Sequence, residues 1–291
     1  YTAAGNGGLL SRGKKRTQCL AVSTDGGASF AKYENNPLVE PLANFNRDPK
    51  VVWVEELSRY VMALYLEGER YTLLGSDDLL HWTPFQEILL GNDAECPDLF
   101  CLEAEGERFW VFLGASDKYL IGRFDDGKFV RVSDEKQLSY SPAHCSYAAQ
   151  SFSGVGDGRV LRLAWDKLLM PSVRVPNQMS VPTELTLSPT DKGYYLSALP
   201  AREIAGLYLS GERLENVTVK ETYRLPLARA AYDIRLICDA DAPFSLEIFG
   251  HRMRILPEEN RLEFQKTSMP LSLDRGQTDL RLIVDRCSTE I

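Results

Sequence analysis

A turn built on aspartate recurs along the first half of the chain and limits the folds open to it. Apolar strands end at Ser23-Thr24-Asp25 and again at Ser76-Asp77-Asp78, and an aromatic residue, Phe30 or Trp82, closes each turn. A third turn of this kind lies at Asp126-Gly127. Recurrence at about fifty residues is typical of the four-stranded blades of a β-propeller. Asp25 and Asp78 are expected to bond the backbone of their own turns and to take no part in catalysis.

The rest of the pattern also favours β-structure, because short β-rich runs lie between the turns and helical periodicity is hard to find. Proline and glycine interrupt residues 187–207, which indicates a connection between domains. Beyond it, apolar and polar residues alternate with a period of two, which predicts the strands of a two-layer sandwich. These predicted strands are residues 217–223, 232–238, 244–249, 261–264 and 279–285. The sequence therefore predicts an all-β chain, with a β-propeller over residues 1–200 and a β-sandwich over residues 207–291.

Two carboxylates lie at similar places, each beside a proline that precedes an apolar run. Asp48 is followed by Pro49, and Glu95 is followed by Pro97. A side chain where a turn leads into a buried strand is held rigidly and can still face a pocket. Two carboxyl groups held in this way are what glycoside hydrolysis needs, although acidic turn residues at a sheet edge would show the same spacing.

Arg47-Asp48-Pro49 and Glu95-Cys96-Pro97 resemble two of the three hallmark motifs of glycoside hydrolase family 32, the β-fructofuranosidases. Further segments resemble the family in the same order along the chain, and these are Tyr1-Thr2, Asn36-Pro37, residues 76–82, residues 147–152 and residues 285–290. The resemblance implies a five-bladed propeller followed by a sandwich. It also implies hydrolysis of terminal β-fructosides such as sucrose, sucrose 6-phosphate or fructans, without a cofactor.

The resemblance implies a role for each matching side chain. Glu95 resembles the general acid/base, and Asp48 resembles the residue that stabilises the transition state. Arg47, Cys96 and Tyr147 are expected to contact the sugar, although Arg47 could also be a surface ion-pair partner. Because the neighbours of Glu95 are apolar, desolvation is expected to raise the pKa of its carboxyl group. The tryptophans are expected in the propeller core and not as sugar platforms, and these are Trp53, Trp82, Trp110 and Trp165.

The third hallmark motif, an Asn-Asp-Pro-Asn-Gly type of segment that carries the nucleophilic aspartate, has no counterpart. No Asn-Asp-Pro occurs in the 291 residues, and residues 5–8 contain no carboxylate. Cys145-Ser146 and Pro182-Thr183-Glu184 also depart from the family's Asp-Phe and Pro-Arg-Glu. The propeller is therefore expected to lack its first blade and the sandwich to be incomplete at Ile291, so the chain is interpreted as truncated at both ends or degenerate.

A retaining glycosidase forms its covalent intermediate on the nucleophile, so the isolated chain is expected to be inactive. Three interpretations stay open: part of a working β-fructosidase, a non-catalytic fructoside-binding remnant, and a scaffold or interaction protein. An open propeller would expose apolar strands such as residues 61–66 and Tyr147-Ala148. A homodimer or a complementing chain is therefore expected to cover it.

Charge and composition exclude several other classes of function. The net charge of −8 argues against nucleic-acid binding, and the basic run at residues 12–16 is short. The six cysteines include no Cys-x-x-Cys pair and the three histidines lie far apart, so no metal site is expected. No apolar run approaches the roughly eighteen residues that cross a membrane. Cysteines without an evident pairing pattern favour the cytoplasm, with secretion as the alternative.

Overall fold

The structure is a computed structural model, and it describes residues 1–3, 9, 11–140, 145–168, 177–190, 192–225, 229–239, 242–264, 267–271, 277–285 and 288–291. Residues 5–8, His144, Arg286 and Cys287 therefore lie outside the described residues. The regular secondary structure of the described residues consists of strands and of short 3₁₀ helices at Glu55–Leu57, Arg202–Leu207 and Pro257–Glu259. The prediction of an all-β chain is confirmed.

The chain begins with short strands that pair locally. They are β1 (Thr2–Ala3), β2 (Thr17–Gln18), β3 (Ala21–Val22) and β4 (Ala31–Lys32). β1 pairs with β2 and β3 pairs with β4, both antiparallel. The turn between β3 and β4 contains Asp25, whose carboxylate accepts a hydrogen bond from the backbone N–H of Ser29 at 2.9 Å. Asp78 likewise accepts from the backbone N–H groups of Leu80 and His81, both at 2.9 Å, so the predicted turn role of both aspartates is confirmed.

Four-stranded antiparallel meanders follow. Sheet I contains β5 (Arg47–Val54), β6 (Arg59–Glu67), β7 (Arg70–Ser76) and β8 (Thr83–Leu89) in that order. Sheet II contains β9 (Asp98–Ala104), β10 (Glu107–Leu113), β11 (Lys118–Asp125) and β12 (Lys128–Arg131), with β13 (Lys136–Gln137) beside β11. Sheet III contains β14 (Ser146–Ser151), β15 (Val160–Asp166), β17 (Thr183–Thr190) and β18 (Gly193–Pro200), and the short β16 (Gln178–Met179) lies between β15 and β17 in the sequence.

Apolar side chains fill the spaces between these sheets. One cluster joins sheets I and II and includes Tyr71 and Phe112, whose rings meet edge to face at 5.2 Å. A second cluster joins sheets II and III and includes Ile121 and Leu185. Val61, Ala63 and Tyr65 belong to the first cluster, whereas Met62 and Leu64 belong to a third cluster, on the other face of β6. Residues 61–66 are at most 5% exposed, so the expectation that this stretch would lie bare is wrong. Each face of the strand is covered by other parts of the same chain.

The remaining strands form two further sheets. They are β19 (Ala231–Asp239), β20 (Phe244–Ile248), β21 (His251–Leu256), β22 (Arg261–Phe264), β23 (Thr267–Pro270), β24 (Gln277–Asp285) and β25 (Thr289–Glu290). Sheet IV has the order β19-β24-β25 and sheet V has the order β20-β21-β22-β23. Ile255 of sheet V and Leu282 of sheet IV are both fully buried in one shared core. The predicted alternation around residues 232–238, 244–249, 261–264 and 279–285 therefore corresponds to real strands.

The predicted strand at residues 217–223 is wrong. This stretch has no strand in the structure, and Val217, Val219 and Tyr223 are 42%, 59% and 50% exposed. Alternation of period two produces a strand only when a neighbouring strand pairs its backbone and an apolar surface covers one face. The sequence shows the alternation but does not show whether a pairing strand and an apolar surface lie beside it.

Two of the four tryptophan assignments are also wrong. Trp110 is 3% exposed in the core, and the partly buried Trp82 packs against the cluster that contains Met62 and Leu64. Trp53 and Trp165, in contrast, are 45% and 41% exposed. Trp53 lies on the outer face of β5, opposite the fully buried Val54, and its indole N–H donates to the Glu55 carboxylate at 2.7 Å.

The chain separates into two compact units. The first comprises Tyr1–Ser139, Ser146–Asp166 and Pro182–Ala201, and the second comprises Tyr140–Cys145, Lys167–Val181 and Arg202–Ile291. The first unit contains sheets I to III, and the second contains sheets IV and V. Among the described residues, no helix is both long and apolar enough to cross a bilayer.

Candidate active site

The motif residues lie at the starts of the first strands of sheets I, II and III. Arg47 and Asp48 begin β5, Glu95 and Cys96 come shortly before β9, and Tyr147 is the second residue of β14. All of them belong to the first compact unit. Equivalent ends of three neighbouring strands therefore supply one group of side chains.

Backbone irregularities accompany these motifs. The pairing register shifts after Arg47 in β5 and after Tyr147 in β14. Asp48, Glu95 and Cys96 have positive φ angles of 59°, 70° and 40°. Residues other than glycine adopt such angles at a cost on the order of 1–3 kcal/mol each, and they keep them only where the surroundings fix the conformation. The chain thus holds these side chains in directions that a regular strand would not give.

Glu95 is held by side chains from both neighbouring sheets. The Arg47 guanidinium forms an ion pair with its Oε1, and the Tyr147 hydroxyl donates a hydrogen bond of 2.6 Å to its Oε2. The hydroxyl of the buried Tyr71 lies 3.4 Å from the backbone oxygen of Glu95. About a third of the Glu95 side chain is exposed, so the carboxylate is fixed in direction but can still be reached from solvent.

The pKa of the Glu95 carboxyl group lies below its ordinary value. Burial raises this pKa, but the hydrogen bonds from Tyr147 and Arg47 and the positive charges of Arg47 and Arg16 lower it by more. The expectation of a raised pKa is therefore wrong for the unliganded chain. The apolar neighbours along the sequence predicted the desolvation correctly, whereas the donors come from β5 and β14 and cannot be seen beside Glu95 in the sequence.

Asp48 lies beside the same guanidinium. Its Oδ2 is 3.4 Å from Arg47 Nε, and it accepts hydrogen bonds from the backbone N–H of Cys96 at 3.3 Å and from the Cys96 thiol at 3.6 Å. The backbone N–H of Asp48 donates to the Thr2 hydroxyl at 3.1 Å. Arg47 thus lies between the two carboxylates, and only 17% of its side chain is exposed.

The Cys96 thiol and the Tyr147 hydroxyl are both held in their protonated forms. Burial, with the nearby Asp48 charge, raises the pKa of the Cys96 thiol to about 12. Burial and the hydrogen bond to Glu95 raise the pKa of Tyr147 as well. Since a protonated thiol or phenol can donate a hydrogen bond, both groups act as donors to the carboxylates at neutral pH.

Trp165 is a member of the site that the sequence interpretation missed. It lies on β15 directly opposite Tyr147 of β14, and the two rings meet edge to face with centroids 6.3 Å apart. In β15 the buried residues alternate with more exposed ones, and Trp165 falls on the open face. The sequence carries no signal for this position, because the buried face of β15 includes the polar residues Arg162 and Asp166 while the apolar Trp165 lies on the other face.

Gln150 ties the β14 segment to the Glu95 motif. Its side-chain amide donates to the backbone oxygens of Cys96 at 3.3 Å and Pro97 at 3.2 Å. The described residues contain no group of three or more His, Cys, Asp or Glu side chains placed to hold a metal ion. The chemistry available at this site is therefore that of two carboxylates, a guanidinium, hydrogen-bond donors and an aromatic face.

The chain is similar to known proteins in sequence and in fold. Residues 1–198 match the sequence profile of the glycosyl hydrolases family 32 N-terminal domain. The levanase of Bacillus subtilis (strain 168) is 26% identical, over 95% of this chain and 49% of the levanase. The extracellular exo-inulinase inuE of Meyerozyma guilliermondii is 34% identical, over 60% of this chain and 38% of the inulinase. The crystal structure of the Aspergillus awamori exo-inulinase superposes with a TM-score of 0.76 at 18% identity, over 94% of this chain and 66% of that one.

The comparisons also bear on compartment and length. One of these relatives is extracellular by name, and none of them supports the cytoplasmic expectation. The chain spans less than half the length of the two relatives compared by sequence. The profile match nevertheless extends over more than half of the chain and includes Arg47, Asp48, Glu95, Cys96 and Tyr147. The chain belongs to glycosyl hydrolase family 32, a family of glycosidases that act on fructosides.

Proposed function

We propose that this site binds the terminal β-fructosyl unit of a fructan or of a sucrose-type fructoside, with Glu95 as the general acid/base and Asp48 as the residue that stabilises the transition state. The observation that carries the proposal is the arrangement around Arg47. One guanidinium contacts both carboxylates, and Tyr147 completes the hydrogen bonding of Glu95 from the opposite side. The levanase and inulinase relatives support fructans as the substrate class.

The proposed acid must give a proton to the leaving oxygen. In the unliganded chain the lowered pKa of Glu95 favours its charged form. A sugar bound against the carboxylate removes water from it, which raises the pKa and favours the protonated form. After proton transfer, the ion pair with Arg47 and the hydrogen bond from Tyr147 stabilise the carboxylate. The same contacts that oppose protonation in the free chain thus favour the transfer itself.

Asp48 and the aromatic side chains are proposed to bind the fructosyl ring. The fructosyl ring gains positive charge in the transition state. A fixed carboxylate beside the ring hydroxyl groups therefore binds the transition state more strongly than it binds the uncharged substrate. The backbone N–H and thiol of Cys96 keep the Asp48 carboxylate in place. The exposed face of Trp165, packed against Tyr147, offers an apolar surface for the ring carbons.

The finer architecture belongs to the same proposal. Sheets I to III are taken as blades of a propeller over residues 1–200, and sheets IV and V as a sandwich over residues 207–291. Their support is the repeated four-stranded meander in the first unit and the shared core in the second. The fold likeness to the Aspergillus awamori exo-inulinase also supports this assignment.

Binding without turnover is the form of this function that we propose for residues 1–291 in isolation. The observation that favours it is the lack of any Asn-Asp-Pro in these residues, since a retaining mechanism forms its intermediate on a nucleophile. The isolated chain should then hold fructose and release none from sucrose or levan. A scaffold function is favoured by no particular feature of the site.

Titration calorimetry with fructose tests the binding function. The chain is expected to give a binding isotherm, and Asp48→Ala is expected to weaken it by roughly tenfold or more, because hydrogen bonds to a charged group contribute about 1.5–3 kcal/mol. Asp25→Ala, which alters an acidic turn away from the motifs, serves as the matched control and should bind as the parent chain does. Identical heats for the parent and Asp48→Ala would remove the binding function. Fructose release that Glu95→Gln abolishes would show instead that the isolated chain is active.

A further inference from the structure

A buried polar cluster lies just behind the motif residues and consists of Lys50, Asp98 and Ser151. Lys50 Nζ is 3.0 Å from Asp98 Oδ1, 2.7 Å from the backbone oxygen of Ser151 and 3.0 Å from its hydroxyl. The backbone N–H of Ser151 donates to Asp98 Oδ2 at 2.5 Å, and its hydroxyl lies 3.0 Å from Asp98 Oδ1. Asp98 is fully buried, and the other two residues are 8% exposed.

Each member of the cluster follows one of the site residues along its strand. Lys50 comes two residues after Asp48 in β5, and Asp98 comes three residues after Glu95 at the start of β9. Ser151 comes four residues after Tyr147 in β14. Because only two to four residues separate each cluster residue from its site residue, a shift of one displaces the other.

The three strands belong to different sheets, so no ladder of backbone hydrogen bonds fixes their separation. Apolar packing between sheets tolerates small shifts, because it has no preferred direction. Hydrogen bonds and ion pairs have preferred lengths and angles, and the cluster supplies them between all three strands. Within the described residues, this cluster gives β5, β9 and β14 a direct polar connection behind the motifs.

Stability alone does not account for the cluster. Burying a lysine and an aspartate removes both from water, and replacing such a pair with apolar residues of similar size is often neutral or stabilising. Every polar group of the pair is instead matched, since Asp98 Oδ1 also accepts from the backbone N–H of Leu99 at 2.9 Å. Such a cluster is costly to bury, but its hydrogen bonds are all made, so it can hold the three strands at a fixed separation.

We propose that Lys50, Asp98 and Ser151 are positioning residues that set the separation of Asp48, Glu95 and Tyr147, and that fructoside binding depends on them through those three side chains. Because all three are buried, they are expected to act on the sugar only through the site residues. The proposal rests on the proposed function for its binding readout. A second readout, the titration of Glu95, is independent of any sugar.

The informative variant is Lys50→Met combined with Asp98→Leu. It removes both charges together, so it leaves no buried charge without a partner and is expected to fold. With the cluster gone, Tyr147 and Arg47 are held less closely against the Glu95 carboxylate. We expect fructose affinity to fall by roughly tenfold, as for the loss of a hydrogen bond to a charged group, and the pKa of Glu95 to rise towards its ordinary value.

Ile121→Ala is the matched control. Ile121 is fully buried in β11 of sheet II, in a cluster that includes none of Asp48, Glu95 and Tyr147, and its truncation leaves a cavity there. It should lower thermal stability and leave the affinity and the pKa of Glu95 unchanged. Ser151→Ala removes only the hydroxyl from the cluster and should weaken fructose binding by about threefold, which keeps a test available if the double variant does not fold.

The experiment measures fructose affinity by calorimetry and the Glu95 titration by NMR spectroscopy with labelled carboxyl groups, using Glu95→Gln to assign the signal. Lower affinity and a raised Glu95 pKa in the double variant, with neither in Ile121→Ala, are the expected results. Parent-like values of both quantities in the folded double variant, or in Ser151→Ala if the double variant is unfolded, would overturn the proposal. If the parent chain binds no fructose, the proposed function fails, and the Glu95 titration still decides whether the cluster positions the site.

Discussion

At the scale of single residues, the sequence identified the side chains that lie together but not how they change the pKa of Glu95. Arg47, Asp48, Glu95, Cys96 and Tyr147 were all predicted from their motifs, and the structure brings them together. The direction of the Glu95 pKa shift could not be predicted, because it depends on donors that lie 48 and 52 residues away along the chain, in neighbouring sheets. A pKa reports the surroundings in space, and the motif gives only the neighbours in sequence.

Tyr147→Phe tests this balance at Glu95. The change removes the hydrogen bond to Oε2 and leaves the ring and the Arg47 ion pair in place, so the pKa of the Glu95 carboxyl group is expected to rise. Because this pKa lies below its ordinary value in the parent, the contacts favour folding above the unfolded-state pKa and lose that effect as the pH falls through the folded-state pKa. Acid unfolding of Tyr147→Phe should therefore be less steep in this range. An unchanged or lower Glu95 pKa, measured by NMR spectroscopy, would contradict the assignment.

The Cys96 thiol gives a second test at this scale. With a pKa of about 12 it carries very little thiolate near neutral pH, so an alkylating reagent should modify it far more slowly than a free thiol. Asp48→Asn removes the adjacent negative charge and should speed the reaction. Peptide mapping by mass spectrometry measures the rate at Cys96 separately from the other cysteines. Rapid alkylation of Cys96 in the parent chain would show that the thiol does not donate to Asp48.

At the scale of elements, the turns and most of the strands followed from local pattern, whereas the irregularities did not. Asp25 and Asp78 fix their turns through hydrogen bonds within a few residues, so their role was visible in the sequence. The register shifts in β5 and β14 depend on pairing with β6 and β15, which the sequence does not show. The wrong prediction of a strand at residues 217–223 has the same cause. An alternating segment forms a strand only beside a pairing strand, and in the structure no strand pairs with these residues.

Packing between sheets I and II can be tested at Phe112. This side chain is fully buried and meets Tyr71, whose hydroxyl lies near the backbone of Glu95. Phe112→Ala is expected to lower the free energy of unfolding by about 3–5 kcal/mol, because the neighbours cannot fill the space that the ring leaves. Denaturant unfolding measures this change. A loss within the range of a surface substitution would mean that the two sheets do not share the core described above.

At the scale of the whole molecule, the chain divides into two units whose bounds local sequence patterns do not show. Tyr140–Cys145 and Lys167–Val181 belong to the second unit although they precede residue 200. Periodicity locates strands, and it carries no information about which unit a connecting segment joins. The covered state of residues 61–66 was missed for the same reason.

Association remains a prediction of the account, on a different surface from the one first expected. Leu207, at the end of a 3₁₀ helix, and Leu209 and Val219 beyond it are 75%, 88% and 59% exposed in the second unit. We expect apolar side chains exposed along one segment to be covered by another copy, so the chain should self-associate at micromolar concentration. Leu209→Lys should weaken the association, and light scattering measures it. A parent chain that stays monomeric over this range would contradict the prediction.

The central claim is that Asp48, Glu95 and their neighbours form a fructosyl-binding site, and a crystal structure of the chain with fructose tests it most directly. The account predicts a fructose ring with its hydroxyl groups in hydrogen-bonding contact with the Asp48 and Glu95 carboxylates and its apolar face on Trp165. Fructose bound elsewhere on the chain, with this site unoccupied at saturating concentration, would contradict it.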